Sequence, residues 1–179
     1  MPMPARFYLV TVGSVARPLL ADVGASLRDT FGPAAELGPP QDRPEYAFNK
    51  SRQQYHSAAV LRRLEHLPGR PVGVPVLGVT DVDLFVPDAP FVFGEADRDA
   101  QTAVVSAFRL KQGGDGRPAA PERVKRRLQI EALHEIGHLL GLSHCNDFRC
   151  AMFLSHTAAD TDRKGGGLCP LCRAALGLG

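Results

Sequence analysis

The sequence has no cysteine before residue 145, almost no net charge, no internal repeat and no long apolar run. Each absence narrows the field. A membrane helix needs about 18 consecutive apolar residues, and no stretch approaches that length. At the N-terminus, MPMPARFYLVTVGSVA sets Arg6 before an apolar run and ends in a triplet that could pass for a cleavage site. That run is short, β-rich and contains Thr11 and Gly13, so it reads as a first core strand rather than a leader. A net charge of +2 and a pI near 8.4 fall short of the basic footprint of a nucleic-acid or anionic-membrane binder. A secreted disulfide scaffold spreads its cysteines through the chain it staples. Here all four cluster at 145, 150, 169 and 172 beside histidines, which points to metal in a reducing cytoplasm.

What remains suffices for one domain: 179 residues with 44% hydrophobic content can bury a real core. Residues 6–12 predict a strand. Residues 18–31 carry Leu19, Leu20, Val23, Leu27 and Phe31 at helical spacing and predict a helix packed on it. The Gly/Pro-rich stretch 32–44 predicts a loop, and 51–66 a second helix with Tyr55, Ala58, Ala59, Leu61 and Leu64 facing inward. A buried strand at 74–80 ends at Asp81 and Asp83. Strands at 91–97 and 103–110 and a flexible loop at 111–120 follow. The implied class is α+β, a mixed twisted sheet with packed helices.

Pro121 opens a long helix, at the position where its missing N–H costs nothing. Val124, Leu128, Ala132, Ile136 and Leu140 form its buried stripe. Arg127, Glu131, His134 and His138 repeat at i, i+4, i+7 and i+11 along another face, the one a cleft would see. Four residues apart, His134 and His138 send both rings from one side of the helix and can share a zinc ion. Glu135, next to the first histidine, is placed to take a proton from a zinc-activated water, which is the H-E-x-x-H arrangement. A third ligand, His144, comes within reach if the chain turns sharply at Gly141, leaving the fourth position open as in a catalytic site. Beyond it, Cys145, Cys150 and the pair in CPLC, Cys169 and Cys172, have the makings of a closed tetrahedral second zinc site. Two disulfides are the alternative. A tail of about 35 residues is too short for a core of its own, so a metal staple would fold it.

HEIGHLLGLSHC, then NDFRCAM, then CPLC, resembles the archaemetzincins, a branch of the metzincin zinc metallopeptidases, as do VLGVTDVDLFVP and FVFGEAD upstream. The likeness spans roughly residues 70–172. It implies a zincin-like fold with residues 1–141 as an upper subdomain and 142–179 as a small zinc-stapled lower one. It also implies His134, His138 and His144 as catalytic zinc ligands, Glu135 as general base and Met152 as the Met-turn residue beneath the metal. By the same likeness Cys145, Cys150, Cys169 and Cys172 would hold a structural zinc, two zinc ions per chain in all. Phe91, Val92, Phe93, Gly94, Glu95 and Ala96 would be the edge strand on which an extended peptide pairs. Two departures stand out. Sixteen residues separate Met152 from Cys169, one fewer than the family spacing, and Leu154 replaces a tyrosine that some metzincins use.

Two functions follow. The first is a cytoplasmic zinc metallopeptidase with peptide or protein substrates and no membrane partner. The second is a catalytically silent, zinc-stabilised module binding peptide or nucleic acid, with Arg163, Lys164 and Arg173 as contacts; the intact Glu135 and the open position argue against it. His56, His66 and His156 read as ordinary surface or core histidines, Asp81 and Asp83 as strand-end turns rather than a calcium loop, and RVKRR at 123–127 as a solvated helix face.

Overall fold

The computed structural model describes residues 2–179. In chain order the elements are β1 (Arg6–Val12), α1 (Arg17–Phe31), β2 (Ala34–Leu37), β3 (Phe48–Asn49), β4 (Gln54–His56), α2 (Ser57–Glu65), β5 (Val76–Thr80), β6 (Leu84–Phe85), β7 (Gly94–Asp97), β8 (Thr102–Ser106), α3 (Pro121–Leu139), α4 (Ala158–Asp162) and α5 (Pro170–Ala175). Five strands form the main sheet in the order β2-β1-β5-β8-β7, parallel except for β7, which runs antiparallel to β8 at one edge.

Period-two alternation decides which helix covers which face. Phe7 and Leu9 of β1, Leu77 and Val79 of β5, and Ala103 and Val105 of β8 point to one side and pack under α1 and α3. Tyr8, Val10, Val12, Val76 and Val104 point to the other and pack under α2. The stripe of α3 is buried where it crosses the sheet: Leu128, Ala132 and Ile136 are inaccessible to solvent, Val124 and Leu140 half-buried. Leu128 and Ile136 each contribute about 1.5–3 kcal/mol by leaving water.

Three sequence expectations need correction. The stretch 32–44 contains β2, because Ala34 to Leu37 find the free edge of β1; a four-residue strand half-exposed beside prolines has no clear alternation to betray it. The second helix begins at Ser57, not 51. Residues 50–53 turn, and Gln54–His56 pair with β3 and β6, so Tyr55 is a buried strand residue. The strand expected at 103–110 stops at Ser106, after which Arg109–Lys111 form a 3-10 turn.

The basic run at 123–127 is not all solvated. Arg127 is 3% exposed and forms a two-pronged ion pair with Asp162, at 2.8 and 2.7 Å, while its Nη1 donates to the carbonyls of Leu110 and Gln112. These hydrogen bonds hold the Asp162 carboxyl below the usual carboxylate range. A turn later, Lys164 and Glu131 form a second ion pair, both side chains almost wholly buried. The polar stripe of α3 is therefore a seam: it clamps the segment after Gly141 onto the helix.

Candidate metal centre and cleft

The stripe continues into the histidines. Helix α3 ends in a Schellman turn: Leu142 N–H donates to Gly137 O at 2.9 Å and Gly141 N–H to His138 O at 3.0 Å. Gly141 has φ +100°, a left-handed conformation that a side chain would strain. That bend reverses the chain and brings His144 back over the helix. The His144 ring centroid lies 5.2 Å from that of His134 and 4.9 Å from that of His138.

Both helical rings are held by carbonyls. His134 Nδ1 lies 2.8 Å from Ala151 O and His138 Nδ1 lies 2.8 Å from Leu142 O. A carbonyl only accepts, so each Nδ1 carries the proton and each Nε2 presents a lone pair. The two Nε2 atoms face each other at 3.1 Å. Two lone pairs at that distance repel unless a cation lies between them. A tetrahedral zinc with bonds of about 2.0–2.1 Å would hold two nitrogens about 3.3 Å apart, so the residues fit that ion. Burial, with the positive charge of Lys164 behind it, pushes the His134 pKa down to about 3, and burial also lowers that of His144. His134 and His144 are thus biased toward the neutral form, which a ligand needs.

Glu135 is 5% exposed and lies against the backbone of β7. Burial first, then the nearby carboxylates of Glu131 and Glu95, raises its carboxyl well above the usual glutamate range. A Cβ built at Gly94 would sit 2.7 Å from Glu135 Oε1 and 2.6 Å from Val104 O. Gly94→Ala must therefore displace either the carboxylate or the strand edge. We expect at least a tenfold loss of kcat with zinc content unchanged, checked by steady-state kinetics and metal analysis.

The four cysteines converge separately. All are free thiols, with Cys145 and Cys169 sulphurs 3.7 Å apart, and four thiolates around zinc at about 2.3 Å would lie about 3.8 Å from one another. Amide N–H groups of Asp147, Met152 and Cys169 point at Cys145 and Cys150 sulphurs at 3.3–3.4 Å, a pattern that stabilises thiolate. The disulfide alternative does not describe this cluster. Met152 is fully buried, its sulphur against Gly137 of α3, the residue before His138.

Of the edge residues expected to receive a peptide, Gly94, Glu95 and Ala96 lie in β7, whose outer side is unpaired. Phe91, Val92 and Phe93 do not. Phe93 O still accepts from Ser106 N–H at 2.8 Å, but Val92 turns to pair with Leu84, its N–H donating to Leu84 O at 3.0 Å, and all three wall a cleft of about 390 Å³ that reaches His134 and Glu135. Sequence reasoning missed the partners of the stripe, Asp162, Lys164 and the carbonyls of Ala151 and Leu142. The i, i+4, i+7 spacing was the only local sign of them. Lys164, expected as a nucleic-acid contact in the silent-module reading, is buried, and Arg163 pairs with Asp160. Asp83 forms an ion pair with Arg109 at 2.7 Å. His56 stacks on Phe85, and His66 and His156 are exposed. None of these three histidines joins a metal group among the described residues.

The model of peptidase family M54 matches residues 40–177. The archaemetzincin of Methanocaldococcus jannaschii is 38% identical over 176 residues, covering 98% of this chain and 95% of its own. The crystal structure of archaemetzincin from Methanopyrus kandleri superposes with a TM-score of 0.82 at 31% identity, over 98% of this chain and 96% of that one. That of Archaeoglobus fulgidus, complexed with malonate, gives 0.78 at 34%, over 93% and 98%. The chain thus belongs to peptidase family M54, the archaemetzincins, and is a zinc metallopeptidase.

Proposed function

We propose that His134, His138 and His144 hold the catalytic zinc, that Glu135 is the general base, and that Cys145, Cys150, Cys169 and Cys172 hold a second, structural zinc. The single observation that carries this reading is the convergence of three imidazoles, with His134 and its neighbour Glu135 lining a cleft. Zinc held there supplies Lewis acidity, polarising a peptide carbonyl and acidifying a water molecule.

The chain's own residues do the rest. The unpaired edge of β7 aligns an extended peptide by main-chain hydrogen bonds. With zinc in place, the Glu135 carboxylate takes the proton of the attacking water and passes it to the leaving amine. The carbonyls of Ala151 and Leu142 keep two rings in the ligating tautomer. Residues 142–179 act as a subdomain, pinned by the thiol cluster at one end and by the Arg127–Asp162 and Glu131–Lys164 pairs at the other.

The test is incubation of the zinc-loaded protein with a mixed peptide library, analysed by mass spectrometry. Cleavage that stops with a hydroxamate chelator and returns with added zinc is expected. Intact peptides in the presence of a fully occupied histidine site would overturn the reading.

A further inference from the structure

The cleft beside His134 and Glu135 has room for one large side chain, and Phe91, Val92, Phe93 and Leu154 make its walls mostly apolar. At its base stands Glu131, one turn before Glu135 and 3% exposed. All its hydrogen bonds fall on one oxygen. Oε1 accepts from Thr161 Oγ1 at 2.7 Å, Ser155 Oγ at 2.9 Å and Lys164 Nζ at 3.4 Å. Among the described residues, nothing donates to Oε2. Nor is Oε2 sealed away, since the sealed side-chain polar atom that lacks a partner is Thr102 Oγ1. Oε2 therefore borders open space, and the space Glu131 lines is the cleft.

Three kinds of side chain could fill it. A hydrocarbon would strip water from Oε2 and leave a buried acceptor unmet. A lysine or arginine would add a second cation to a carboxylate that Lys164 already balances, burying an unmatched charge. An apolar body tipped with a neutral donor satisfies both the walls and the base, and the phenol of tyrosine has that form.

We propose that Glu131 is a specificity-determining residue, selecting next to the scissile bond a side chain with an apolar body and a neutral hydrogen-bond donor at its tip. Tyrosine is preferred there over phenylalanine and over lysine. This rests on the peptidase reading above.

The experiment compares kcat/KM for peptides that differ only in tyrosine, phenylalanine or lysine beside the cleaved bond. Tyrosine should lead phenylalanine by about 10–100-fold. In the double variant Glu131→Leu, Lys164→Met, which replaces the pair by apolar groups of similar size, the preference should invert. Each ratio is taken within one protein sample, so partial misfolding cancels. A second measurement needs no turnover: calorimetric affinities of the zinc-loaded protein for N-acetyl-tyrosine hydroxamate and its phenylalanine counterpart. Equal affinities, or a lysine preference, would overturn the role of Glu131. If no peptide is cleaved, the peptidase reading fails, while the hydroxamate ratio still decides on Glu131.

Discussion

Glu135→Gln lowers kcat/KM on a cleaved peptide by about 10²–10⁴-fold and leaves zinc content unchanged. The amide keeps the shape of the carboxylate but has no lone pair basic enough to take a proton from water. Because Glu135 is not among the converging imidazoles, metal analysis of the purified variant should match wild type. Retention of hydrolysis would remove Glu135 from the mechanism. The same substitution has a second, opposite effect on stability when the histidine site is empty. Burial and two neighbouring carboxylates raise the Glu135 carboxyl above the usual range. The folded state then keeps a proton that the unfolded chain releases above about pH 4.5, so stability falls as pH rises through that window. An amide at this position cannot ionise, which removes the penalty. With one zinc equivalent supplied, which the softer thiolates hold first, the variant should melt higher than wild type at pH 7, by about 2–4 °C for each kcal/mol relieved. The gap should close as the pH falls toward 4.5. His134 works in the other direction: its pKa, lowered to about 3, makes stability fall as pH drops below about 6.5 in both proteins, so it cancels from the difference.

Much of this site is legible in sequence because its geometry is local. His134, Glu135 and His138 share one helix, and Gly141 announces its own bend by being glycine where the helix must stop. The cysteines declare themselves by spacing. The long helix starts at Pro121 as its N-terminal proline predicts. What sequence hides is what the chain closes across distance. Arg127 meets Asp162 across 35 residues and Glu131 meets Lys164 across 33, so nothing near either stripe residue names its partner. A basic run on a helix and a lysine in a cysteine-rich tail both look solvated until the tail folds back. Short strands are hidden for another reason. β2 and β4 draw their order from a neighbouring edge rather than from their own alternation, so propensity had little to report.

That closure is why the thiol cluster should control the histidine site. Cys169→Ser with Cys172→Ser is expected to release one zinc and to weaken the remaining one by about 10–100-fold, the usual cost of losing a ligand's supporting hydrogen bond. The route runs through Ala151. Its carbonyl accepts from His134 Nδ1 at 2.8 Å and from Lys164 Nζ at 3.0 Å, and it sits between Cys150, a member of the cluster, and the buried Met152 against Gly137. Besides the cysteines, the buried apolar side chains of this segment's own small cluster are Leu142 and Met152. That is far too little to offset the conformational entropy of residues 142–179, at about 1–2 kcal/mol per ordered residue for the backbone alone. A structural zinc contributes on the order of 10 kcal/mol of folding free energy toward ordering the segment. Without it the ion pairs to α3 are left to hold the segment, and Ala151 loses its fixed place. Hydrogen exchange should then quicken across 142–179 while β1, β5 and β8 stay protected. A competitive chelator titration should show the histidine site releasing zinc at lower chelator concentration. If the double variant keeps slow exchange in that segment and an unchanged affinity at the histidines, the two centres are independent, and the thiol cluster does no more than tie down a tail.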